Sequence, residues 1–161
     1  LAVAYGSRQI GVLTRFPDVE KLFLMGLIHD IGKVVLINGL SKTGLRHREL
    51  AAKHIDQVIE ELHTTFGGTV LESAGLGQEF IDVAELHENT RFTTRTDPAI
   101  MIVSLANSTA REMGYGARHS QKLDLARLPA AMILHITAEH LNRMRTDLEV
   151  TVKKARIAFK F

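Results

Sequence analysis

Residues 22–28 read LFLMGLI, and a helix through them is apolar on every side. Such a helix belongs at the centre of a folded domain. The run breaks off at His29, Asp30, Gly32 and Lys33, then turns apolar again as VVLI at 34–37. Polar atoms placed there must find partners or be desolvated unpaired. His29–Asp30 is therefore a pair of ligands for a divalent metal, a hydrogen-bonded knot in a core, or the remnant of a site.

The rest of the pattern is helical almost throughout, which predicts a single all-α domain over residues 1–161. One helix is expected over 18–30, with Pro17 ahead of it and Asp18 and Glu20 in its first turn. A second is expected over 46–63, where Leu50, Ala51, His54, Ile55, Val58, Ile59 and Leu62 mark one face. Others are expected over 64–74, 78–88, 98–113 and 138–158, the last behind Thr137 as N-cap. Turn signals separate them at 39–44, 74–77 and 114–116, and VVLI is the one strand candidate. The final helix shows Leu141, Met144, Leu148, Val152 and Ala155 at helical spacing, a stripe expected to dock on the core or form a partner interface.

Composition excludes several classes. With no cysteine there are no disulfides and no zinc–thiolate sites, and a reducing cytoplasm suits the chain. No apolar stretch is expected to span a bilayer, which needs about 18–20 residues, and no signal peptide is visible. A net charge of +2 with scattered basic residues argues against nucleic acid. The densest basic group, Lys153, Lys154, Arg156 and Lys160, reads as a solvated helix end.

Four polar side chains share stripes with apolar residues. His29 follows Leu22 and Met25, His63 precedes Phe66, Gly67 and Val70, His87 follows Phe80 and Ala84, and Asn107 follows Ile100 and Val103. One inward histidine is ordinarily a satisfied core residue; three beside an aspartate are harder to dismiss. Imidazole nitrogen and carboxylate oxygen suit Mn, Fe, Ni or Zn, and helical bundles build such sites from facing helices. The other histidines read as solvated or packing residues: His47, His119, His135 and His140 near loops or helix starts, and His54 on a helix-packing face.

HDIGK resembles the HDxxK signature of the HD superfamily of metal-dependent phosphohydrolases. The chain as a whole resembles one branch of it, the HDOD (HD-related output) domains of bacterial signalling proteins. HTTFGGTVLESAGL at 63–76 is similar to that family's H-x-x-x-G-x-x-L-L-x-x-W-x-L segment, with Ala74 in the place of the tryptophan. LHEN at 86–89 stands at its His-His run, with Glu88 replacing the second histidine, and SLANSTAREMGYG at 104–116 resembles its Ala-Asp segment.

The resemblance implies that His29 and Asp30 are the metal-binding doublet and that Lys33 lies near a substrate phosphate. It implies that His63 and His87 hold a second metal in two-metal members. Asn107 stands where the superfamily has an aspartate, losing a charge, and the superfamily's first histidine has no counterpart in residues 1–28. The chain opens without an initiator methionine, as a fragment would, and by the resemblance is expected to lack the N-terminal helical lobe usual in HDOD proteins. Glu88 is expected to face outward, since adjacent helical residues diverge by about 100°.

Three functions follow. The first is a non-catalytic signalling or regulatory domain with a degenerate metal pocket, binding a divalent ion weakly or not at all. Its partners would be other signalling proteins or domains, a small phosphate ligand, or a second copy of the chain, with no membrane involved. The second is a metal-dependent phosphohydrolase acting on a nucleotide or cyclic dinucleotide. The loop ENTRFTTRTDP after His87 lacks the Gly-Tyr-Pro element of the HD-GYP phosphodiesterases. The third is a plain helical interaction module whose inward histidines are core residues.

Overall fold

The computed structural model describes residues 1–42, 52–116 and 124–159. Among these, the long elements are all α-helices: α1 (Ala2–Leu13), α2 (Val19–Ile28), α3 (Ile31–Lys42), α4 (Ala52–Ser73), α5 (Gln78–Leu86), α6 (Pro98–Glu112), α7 (Pro129–Ile133) and α8 (Ala138–Phe159). A short 3-10 turn, Leu125–Arg127, precedes α7, and no strand occurs among the described residues. The all-α expectation holds. The chain divides into two compact units, one formed by Leu1–Leu27 with Asn89–Phe161 and the other by Ile28–Glu88.

In the first unit α1 packs along α6 and α8, and α7 packs on α6. Ile102, Val103, Leu105 and Ala106 of α6 have no exposed surface, so this helix is the unit's core. Its start follows the expected chemistry: Asp97 accepts the Ala99 N–H at 2.8 Å, with Pro98 in the first turn. Thr137 caps α8 as expected, its hydroxyl accepting the His140 N–H at 3.3 Å. The predicted stripe Leu141, Met144, Leu148, Val152 and Ala155 is buried. At Gly26 a Cβ would come within 2.9 Å of the Val3 carbonyl and the Ala4 Cα, so the glycine lets α2 approach α1.

In the second unit α3 packs along α4, and α4 along α5. Two sequence expectations are corrected here. VVLI lies inside α3 and is helical, not a strand, because a four-residue run with three β-branched residues does not outweigh a long helix packed on a neighbour. The helices expected over 46–63 and 64–74 form one, α4, from Ala52 to Ser73; residues 46–51 lie outside those described. Gly67 does not break it, because Gly67 sits against Gly32 and Ala84, where its lack of a side chain is used for packing. The buried stripe of α4 is Ile59, His63, Gly67 and Leu71, while His54, Val58 and Leu62 of the predicted face are exposed.

Val19–Lys42, covering α2 and α3, has the length and apolar composition of a membrane-crossing helix, a property that core helices share. The chain turns at His29–Asp30 between the two helices, with Lys33 one turn beyond.

Candidate metal centre

The doublet sits where α2 has ended, at Ile28, and α3 has not yet begun. Outside a regular helix the 100° divergence of neighbouring side chains does not apply. His29 and Asp30 can therefore both contribute to one cluster. The helix ends within two residues of its expected end at 30, and Gly32 has a packing role. It lies in the first turn of α3, where a Cβ would overlap the His63 carbonyl and come within 2.7 Å of the Gly67 nitrogen. The glycine thus sets how closely α3 approaches α4.

His63 comes from the middle of α4, and His87 from the residue that caps α5. Their Nδ1 atoms lie 2.8 Å from the Glu60 carbonyl and 2.9 Å from the Ala84 carbonyl. A carbonyl only accepts, so each Nδ1 carries the proton and donates it. Each Nε2 is then left as a lone pair, the form in which imidazole binds a metal. The rings crowd together, with centroids 4.8 Å apart for His29–His87 and 5.4 Å for His63–His87.

These nitrogens surround Asp30. Oδ1 is 3.5 Å from His63 Nε2 and 3.4 Å from His87 Nε2, and Oδ2 is 3.5 Å from His29 Nε2. His63 Nε2, His87 Nε2 and Asp30 Oδ1 are buried and accept no hydrogen bond from any described residue. Lone pairs facing one another at this distance need a proton or a cation between them. Tetrahedral donors at metal–ligand distances of about 2.0–2.2 Å lie about 3.3–3.6 Å apart, and the spacings around Asp30 match that edge. The residues present fit a divalent ion.

Two groupings of ligand atoms lie within 4.8 Å of one another: His29, Asp30 and His87, and His63, His87 and Glu88. Both use His87, whose Nδ1 is already committed to Ala84, so its single free lone pair serves one ion. Glu88 does not face outward as expected. Its side chain is one third exposed and its Oε1 lies 3.7 Å from His87 Nε2. Glu60 escaped the sequence reading. It precedes His63 by one helical turn, the spacing that would have placed both on one face.

Lys33 Nζ lies 3.2 Å from Asp30 Oδ2 and 3.5 Å from Glu60 Oε1. Asn107 belongs to the other unit, where it is buried on α6; His29, Asp30, His63 and His87 are brought together within the unit Ile28–Glu88.

Burial alone would raise the Asp30 carboxyl, but the facing His87 imidazole and the charges of His29 and Lys33 outweigh it and hold the group well below the usual carboxylate range. Burial and the nearby Lys33 charge lower the His63 imidazole from its ordinary value. An imidazole lowered by folding is protonated first in the unfolded chain, so its contribution to stability is lost as pH falls below about 6.5. With chelator present, the melting temperature is expected to fall from pH 7.5 to 5.5. The fall should be shallower in His63→Gln, and an equal slope in both proteins would refute the assignment.

No curated protein and no solved structure matches the chain. The HDOD domain profile matches residues 1–90, a stretch that holds every residue of the cluster and ends just beyond Glu88. With the histidine–aspartate cluster inside the matched stretch and an all-helical fold around it, the chain belongs to the HDOD domain family.

Proposed function

We propose that this chain is a regulatory module of a signalling protein whose HD pocket holds one divalent ion and does not turn over a phosphoester. The observation that carries this reading is the position of Lys33. A lysine that received a substrate phosphate would have to offer its charge, but this ammonium lies between the carboxylates of Asp30 and Glu60 with its side chain only 19% exposed. The shared lone pair of His87 supports the same reading, since two-metal phosphoryl chemistry needs a second ion about 3.5–4 Å from the first.

The ligands come from the α2–α3 turn, α4 and α5. An ion held by all of them couples these elements and favours the arrangement that binds it. On this reading the partners are other signalling proteins or domains in the cytoplasm. Glu88 favours the second reading, a phosphohydrolase acting on a nucleotide or cyclic dinucleotide, because it brings another carboxylate to His87.

The two are separated by assaying the protein loaded with Mn, Fe, Ni or Zn against bis(p-nitrophenyl) phosphate and cyclic dinucleotides. The regulatory reading expects no turnover beyond that of Asp30→Ala. Turnover that disappears in Asp30→Ala would establish the enzyme instead.

A further inference from the structure

The unit formed by Leu1–Leu27 and Asn89–Phe161 contains an open cavity of about 530 Å³. Its walls include Arg15 and Phe16 after α1, Pro98 at the start of α6, Ile133 and His135 at the end of α7, and His140 in the first turn of α8. This volume is in the range of small-molecule sites. The ionisable side chains lining it are Arg15, His135 and His140, and no carboxylate lines it.

Among the described residues, four helices end with a residue in the left-handed region. Gly75 and Gly114 follow α4 and α6 with φ of 73° and 82°, and Arg15 and His135 follow α1 and α7 with φ of 56° and 55°. All four ends close in the same way. The next residue donates its N–H back across the last turn: Leu76 to Leu71, Tyr115 to Ala110, Phe16 to Gly11 and Ile136 to Ala131, at 2.8 to 3.0 Å. Glycine is the residue that makes this closure without steric penalty. The two ends that carry a side chain instead are cationic or protonatable, and both line the cavity. Chain termination does not explain that choice, whereas placing Arg15 and His135 on the cavity wall does.

His140 adds a donor. The Thr137 N–H donates to its Nδ1 at 3.3 Å, and its own N–H donates to the Thr137 hydroxyl, a capping box with histidine in the third position. Because Nδ1 accepts, the proton of the neutral ring is on Nε2, which remains able to donate. Leu13, Phe16, Pro98 and Ile133 supply apolar wall.

We propose that this cavity binds a small amphipathic anion, with a carboxylate or phosphate head on Arg15, His135 and His140 and an apolar body against Phe16, Pro98 and Ile133. The proposal stands independently of the metal reading.

The test is titration of the full chain with octanoate, octyl phosphate and octylamine, each below its micellar concentration, followed by calorimetry. Saturable binding of at least one anion and none of octylamine is expected; octanoate alone would identify a carboxylate head and octyl phosphate alone a phosphate head. Arg15→Gly and His135→Gly should each weaken that binding by about tenfold or more, as loss of a charge-assisted contact does, while the melting temperature stays level or rises. Equal binding of octylamine, no saturable binding of either anion, or affinities unchanged in both variants would overturn the proposal. So would a fall in melting temperature in both glycine variants, because the side chains would then be serving the fold.

Discussion

Gly32→Ala is expected to lower stability by more than about 3 kcal/mol, while Gly39→Ala, in the same helix, should raise it by about 0.5–1 kcal/mol. Both glycines lie in α3, so helix propensity favours alanine at each to a similar degree. They differ in what a methyl group would meet. At Gly39 nothing lies within 4 Å, whereas at Gly32 the methyl would overlap the His63 carbonyl and crowd the Gly67 nitrogen. Those are backbone atoms of α4, which cannot rotate aside as a side chain can. The helices must separate, and His63, carried by the same turn of α4, moves with them. Thermal melts of the two variants in chelator check this. For a chain of this size the Gly32→Ala loss should appear as a fall of at least about 6 °C, and equal behaviour of the two variants would refute the close crossing.

The second large effect concerns the ion. His87→Ala is expected to weaken divalent-metal binding by more than about 100-fold, whereas Glu88→Ala should cost about tenfold or less. His87 Nε2 belongs to both groupings of ligand atoms and lies 3.4 Å from Asp30 Oδ1, while Glu88 joins only one and stands 3.7 Å from His87. Removing His87 also frees the Ala84 carbonyl it holds, so His87→Gln serves as the variant of closer size. Titration of chelated Mn, Zn and Ni by competition with a metallochromic dye gives the affinities. A larger loss in Glu88→Ala than in either His87 variant would move the ion away from Asp30.

The bounds of four helices were legible from residue spacing, but the burial of α2 was not: a helix apolar on every side is expected at the centre of a domain, whereas Leu24 and Leu27 are exposed. α2, α5, α6 and α8 start and stop within two residues of their predicted ends, because Pro17, Gly77, Pro98 and Thr137 act locally. α3 was not legible. Val34, Val35 and Ile37 remain exposed, so its apolar residues carry no period, and the α4 surface that makes it a helix is distant in sequence. α1 was missed for a related reason: Gly6 and Gly11 interrupt its pattern, and only the contacts of Gly6 with Ala106 and of Gly11 with Leu22 show that they are packing positions.

In the candidate site the three histidines were legible from stripe position and the HDOD-like motif together, and Asp30 from the motif alone. Glu88, read as outward-facing from helical spacing, lies two residues past the end of α5. The pairing of Lys33 with Glu60 depends on how α3 lies against α4, which no spacing within either helix encodes.

The central claim is that the unit Ile28–Glu88 holds one divalent ion, and metal content per chain tests it most directly. Elemental analysis of protein purified without chelator or a nickel column should find about one equivalent of Mn, Fe, Ni or Zn, absent from a folded His29→Ala/Asp30→Ala double variant. Less than about a tenth of an equivalent in the wild-type chain, still so after incubation with each metal, would contradict it; the buried imidazoles around Asp30 would then be a proton-bridged core.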